Sequence, residues 1–205
     1  MKKLLLLLAI VFLLMTNIFA TESDIKMQFN YKYDSPDILS ILRFEGINFD
    51  KVTFVGEDLK DKHFIISIKE FTNGKFAKQV VALDSNELGD LGKIKSNTFS
   101  FRVLSKRTMD NLARFQFQFD RFSSEKELKV GEKLNGFVMK NFLGAKNETA
   151  IPVNESTYIM TYMMPYDHKD GSKSYCEVAQ SGINPEEFGT KYAIPTYFLI
   201  DIKFQ

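Results

Sequence analysis

The chain has 205 residues, 44% of them hydrophobic and 26% charged, with 27 Lys+Arg against 26 Asp+Glu. That length can bury the core of one domain or two small ones, and so even a charge balance leaves no basic face for nucleic acid. Cys176 is the only cysteine, which excludes an intrachain disulfide, while 20 Phe and 8 Tyr supply apolar bulk.

Lys2 and Lys3 precede an unbroken apolar run, Leu4–Met15, which Thr16 and Asn17 end; Ala20 then offers a small residue before a cut. This is the pattern of a signal peptide, and the run is shorter than the roughly twenty apolar residues a spanning helix needs. The expectation is a signal peptide over 1–20, export to the periplasm or medium without a lipid anchor, and a single all-β domain over 21–205. No stable transmembrane helix is expected in the mature chain.

From there the rhythm is period two, the mark of half-buried strands. Met27, Phe29, Tyr31 and Tyr33 alternate with Gln28, Asn30 and Lys32. Ile38–Phe44 and Val52–Val55 read as further strands. His63 stands where another begins, as a surface or satisfied histidine. Asn73-Gly74 between two apolar runs predicts a hairpin, because both residues accept positive φ. A two-residue loop would oppose Lys69 to Lys78, which like charges disfavour. A register shifted by one through a three-residue loop pairs Glu70 with Lys78 and is favoured.

Phe99, Phe101 and Val103 share one face of the next strand, and Phe115, Phe117 and Phe119 one face of another. Between them, residues 105–114 have the composition for a helical turn capped by Thr108 or Asp110. The polar stretch Ser123–Lys133 reads as a long loop, and a division of the domain there is left open. Leu134–Phe142 and Thr157–Met164 read as strands, with Tyr158, Tyr162 and Tyr166 on one face. Asn184 as cap, Pro185, two glutamates and a stop at Gly189 predict one short helical turn. The last strand sets Phe198, Ile200, Ile202 and Phe204 against Tyr197, Leu199, Asp201 and Lys203. The fold class is all-β: an antiparallel β-sandwich, in one piece or two packed Ig-like halves, with few short helical turns.

The segment YDHKDGSKSYCEV, Tyr166–Val178, concentrates Asp167, His168, Asp170 and Cys176. A calcium loop starting at Asp167 fails, with Lys169 at position three, Gly171 at five and Val178 at twelve. A Cys-His-Asp-Asp zinc set at this spacing matches no known signature. A thiol–imidazole pair of Cys176 and His168 stays open, since such partners meet in space. A hairpin tip at Asp170-Gly171 accounts for more: MTYMM and YCEV would be its arms, with Cys176 packed as a small hydrophobe. Asp167, His168, Asp170 and Cys176 are therefore the candidate binding residues, with no catalytic residue, metal or cofactor expected. No G-x-S-x-G elbow is present, and Gly89–Lys93 is too short for a Walker loop. Asp58, Asp61, Glu70, Asp120 and Glu177 are carboxylates that a hydrolase could pair.

The phrases NFDKVTFVGEDLKDKHFIISIKEFTNGK, QFQFDRF, YDHKDGSKSYCEVAQSG and AIPTYFLIDIKF resemble a family of secreted proteins of Gram-negative gut bacteria, defined only as a domain of unknown function. The resemblance implies an exported all-β protein and carries over no activity. The leading functional expectation is a soluble module that binds a protein, a glycan or a surface component, without nucleic acid. The alternatives are a small outer-membrane β-barrel of eight tilted strands and a secreted hydrolase.

Overall fold

The computed structural model describes residues 24–30, 35–132, 134 and 136–205; the predicted signal peptide and the pair Tyr31 and Tyr33 lie outside these. Two antiparallel sheets pack face to face. The six-stranded sheet is built from β1 (Lys26–Asn30), β2 (Asn48–Val55), β5 (Thr98–Arg107), β6 (Leu112–Gln118), β7 (Ser123–Lys129) and β9 (Glu148–Ala150), in the order β7-β6-β5-β2-β1-β9. The five-stranded sheet holds β3 (Phe64–Thr72), β4 (Lys75–Asp84), β8 (Val138–Asn141), β10 (Thr157–Met163) and β13 (Thr196–Phe204), in the order β4-β3-β13-β10-β8. Each sheet draws strands from both sides of residues 123–133.

Alternation produces the shared core. Val52 and Phe54, Phe101 and Val103, and Phe115 and Phe117 point inward from one sheet; Ile66, Ile68, Phe198, Ile200, Ile202 and Phe204 answer from the other. Phe115 meets Phe198 at 5.5 Å and Tyr162 at 5.3 Å between ring centroids, edge to face, the geometry aromatic quadrupoles favour. These stripes face each other across two open sheets. That corrects the barrel alternative, which needs a closed sheet with its apolar band outward.

The central strand β13 is buried on both faces. Tyr197 and Leu199, expected on a half-exposed face, are fully covered. Residues 164–195 fold back over them. This cap comprises a two-residue hairpin, β11 (Tyr166–Asp167) with β12 (Lys173–Ser174), then α2 (Cys176–Ala179), a 3₁₀ turn (Pro185–Glu187) and α3 (Phe188–Lys191). Val178, Phe188 and Ile194 from the cap join Phe71, Met163, Tyr197 and Leu199 in a second cluster.

The hairpin of β3 and β4 has its favoured register, Glu70 opposite Lys78, with Glu70 Oε2 3.3 Å from Lys78 Nζ. The route differs from the one expected. Asn73 (φ 51°) and Gly74 (φ 74°) form a two-residue turn, and a β-bulge at Ala77 supplies the shift. Gly189 does not stop its helix but lies inside α3, because a Cβ there would come within 2.5 Å of Gly74 Cα. The hairpin tip docks on α3 backbone to backbone.

Four further expectations are corrected. Pro36–Phe44 is a helix, α1, with Pro36 in its first turn beside Asp37, Arg43 in its last turn, and Gly46 beyond it at φ 65°. Residues 108–111 make a β-turn rather than a helical one, with Asn111 at φ 59° and Thr108 N–H donating to Leu112 O at 2.8 Å. Ser123–Lys129 is the edge strand β7, not a loop; exposed Glu125, Glu127 and Lys129 alternate with the more covered Ser124, Lys126 and Leu128. Tyr158 and Tyr162 do not share a face, since a bulge between Tyr158 and Met160 turns Tyr162 into the core and Tyr158 outward.

Candidate functional site

The segment 166–178 is a hairpin with shorter arms than expected. MTYM belongs to β10, and Cys176 opens α2. Asp167 is exposed and pairs across the hairpin with Lys173 at 3.1 Å. Asp170 is spent on its own turn, its Oδ1 accepting from Ser172 N at 2.9 Å and Ser172 Oγ at 2.7 Å, which holds its carboxyl below the usual range. His168 Nε2 lies 3.0 Å from Ser174 Oγ and 3.3 Å from Glu177 Oε2, while Ser174 Oγ also donates to Glu177 at 3.3 Å. Serine, histidine and an acid are together, yet not as a nucleophilic triad. A triad needs the acid on the other ring nitrogen, so that Nε2 is left for the hydroxyl. Here both partners compete for Nε2. Cys176 is exposed, which corrects its expected packing as a small hydrophobe. Among the described residues no three of His, Cys, Asp and Glu gather as metal ligands.

His63 is satisfied, its Nδ1 3.1 Å from Ser85 Oγ and its backbone paired with Gln205 in both directions at 2.9 Å. Of the scattered carboxylates, Glu70 pairs with Lys78 and Glu177 with His168.

Cys176 does border a cleft, and with other neighbours. The cleft has a volume of about 470 Å³ and runs between α1, the first residues of β2, β8 and α2. Leu39 and Arg43 form one wall, Val138–Asn141 the other, and Cys176 and Gln180 close one end. Asp50 lies within it. Its side chain is on the inward face of β2, in the alternation Asn48, Asp50, Val52, Phe54, so the carboxyl is drawn toward the core at the point where the core opens. Burial pushes its pKa up to about 6, against the opposing pull of Lys140. Asn48 fixes the floor by joining the two sheets: its Oδ1 accepts from Met139 N at 3.1 Å and its Nδ2 donates to Ser105 O at 3.4 Å. A perturbed carboxylate in a concave site of this size fits a binding or reactive group. Sequence reasoning passed over Asp50, although its signal was legible as an acid in phase with two core residues.

A second polar cluster lies on the covered face of the five-stranded sheet. Lys69 Nζ donates to Tyr158 Oη at 2.6 Å and to Glu186 Oε1 at 3.3 Å, and Tyr158 Oη donates to Glu186. Tyr197 Oη donates to Glu186 O at 2.7 Å. Neighbouring Asp201 is buried, accepts from Ser156 Oγ on Oδ1 and leaves Oδ2 without a hydrogen bond; burial raises its pKa. Tyr158 and Glu186 tie the 3₁₀ turn to the sheet. The arrangement clamps the cap, and its role is structural.

No family model, no curated protein and no solved structure matches the chain.

Proposed function

We propose that the protein is an exported β-sandwich that binds a hydroxyl-bearing ligand, such as the end of a glycan, in the cleft between α1, β2 and β8. The observation that carries this reading is Asp50, a carboxylate held partly out of water where the core opens, with a pKa near 6. Such a carboxylate accepts charge-assisted hydrogen bonds that bulk water competes for poorly. Lys140 opposes the upward push of burial on Asp50, and Lys140 and Arg43, both lining the cleft, offer donors to ring and ether oxygens. Binding without turnover agrees with the neighbouring segment, where His168 is shared by Ser174 and Glu177 and Asp170 is held in its turn. Export rests on Lys2, Lys3 and the apolar run Leu4–Met15.

The test is a titration of backbone amide shifts with neutral mono- and disaccharides. Shifts are expected at 47–50 and 138–141. Affinity should fall by about tenfold between about pH 7.5 and pH 5 as Asp50 takes up its proton. Asp50→Asn should bind weakly at both. Shifts located elsewhere, or a wild-type affinity indifferent to pH, would contradict the reading. Fractionating the host checks both points: soluble protein in periplasm or medium is expected, protein confined to the cytoplasm would overturn export, and protein resisting a carbonate wash of the membranes would overturn the soluble reading.

A further inference from the structure

At the other end of β2 and β5 from Asp50, a groove of about 380 Å³ opens between two loops, 92–98 and 119–122. Its floor is aromatic. Phe119 stacks on Phe122 at 4.6 Å, Phe64 meets Phe99 at 4.6 Å and Phe119 at 5.5 Å, and Phe99, Phe119 and Phe122 are only partly covered by the core they extend. Its rim is cationic. Lys93 is matched by Asp90 at 3.2 Å, whose carboxyl is also drawn down by Lys95; Lys95 and Arg121 make no direct ion pair among the described residues, and Asp120 is the one acid lining the groove. An aromatic trough of this size with surplus positive charge at its mouth is complementary to one kind of small molecule. It fits an apolar chain that ends in a single anionic head.

We infer that this groove is a second binding site, independent of the Asp50 cleft, for a monomeric straight-chain amphiphile with an anionic head, of the fatty-acid class. The chain lies on Phe99, Phe119 and Phe122, and the head meets Lys95 and Arg121. Two consequences separate this from general stickiness. Affinity must rise with chain length, by up to about fourfold per methylene while the added carbon still reaches the floor. It must also depend on the head, since charge-assisted hydrogen bonds to Lys and Arg are lost when the head is neutral.

The experiment measures binding of hexanoate, octanoate and decanoate, all below micelle formation, by calorimetry on the full protein, with amide shifts to locate them. One equivalent of decanoate is expected to bind, shifting residues 92–99 and 119–122, with affinity rising along the series. Decanol should bind at least about tenfold more weakly. Lys95→Gln with Arg121→Gln should cost about the same factor, while Asp120→Asn tightens binding. Arg114→Gln, on a cation already paired with Glu127 at 2.7 Å, serves as the control and leaves it unchanged. Equal binding of decanol, equal loss in the control, no chain-length dependence, or capture by anionic vesicles without binding of monomeric decanoate would each overturn the inference.

Discussion

Asp50, the residue on which the proposed binding site rests, also carries a stability cost. Its pKa is near 6 in the folded protein against an ordinary value of 3.8, so the folded state holds its proton more tightly than the unfolded one. Stability contributed by the neutral form is therefore complete at low pH, declines as pH rises between those two values, and stays reduced above them. Asp50→Asn removes the charge that burial penalises. It should raise stability by about 1–3 kcal/mol at about pH 7.5 and leave it unchanged at about pH 3, as read from urea midpoints at the two pH values. A gain of similar size at both would mean that the carboxyl is not desolvated. Stabilisation with loss of ligand binding is the trade expected of a functional site. The glycines make a second residue-scale case. Alanine normally favours a helix over glycine by about 1 kcal/mol, yet Gly189→Ala should destabilise by about 1–3 kcal/mol, because its methyl would overlap Gly74. Gly46, at φ 65° with open space around it, should lose only about 1 kcal/mol on the same change. Thermal unfolding of the two variants side by side checks the difference.

Among the elements, strands were legible in the sequence where one face is solvated and one buried. Phe115 and Phe117 alternate with Arg114, Gln116 and Gln118 in β6, and the structure buries them as that pattern predicts. The expectation failed where something local outweighed the pattern. Ile38–Phe44 reads as a strand on apolar content alone, although Pro36 at the first helical position, Asp37 in the first turn and Gly46 past the end are helix punctuation. Spacing would have decided it, since Ile38, Ile41 and Phe44 recur every three residues. All three are exposed, Phe44 to 89%. Serine at these positions should leave stability within about 0.5 kcal/mol of wild type, and a larger loss by chemical denaturation would mean that α1 is packed. The edges were not legible either, because edge position is a property of the sheet. β4 is an edge with Lys75, Lys78 and two bulges, β7 alternates charges, and β8 and β9 are short. These are devices that keep an exposed edge from pairing with another chain.

Over the whole molecule, two sheets share one core and a cap of about thirty residues covers the outer face of one of them. The sandwich was readable from alternation alone. The cap was not, because β13 looks half-exposed until residues 164–195 fold over Tyr197 and Leu199. Of the candidate residues clustered in sequence at 166–178, Asp167, His168 and Asp170 are engaged within their own segment, and only Cys176 reaches the cleft proposed as the site. That site is assembled from α1, β2, β8 and α2, which adjacency in the chain could not reveal. Phe115→Ala tests the shared core. Its ring bridges Phe198 and Tyr162 of the facing sheet, and its loss should cost about 3–5 kcal/mol in one cooperative transition. Two separate transitions, of which only one moves, would mean that the sheets do not share a core.

The proposed site depends on Asp50 being a desolvated carboxylate in an open cleft. Following its side-chain carboxyl carbon by NMR from about pH 3 to pH 8, with Asp50→Asn to assign the signal, measures that directly. A midpoint near 6 that moves when a saccharide is added is the expected result. A midpoint near that of an ordinary aspartate, unmoved by ligand, would contradict the cleft as the functional site.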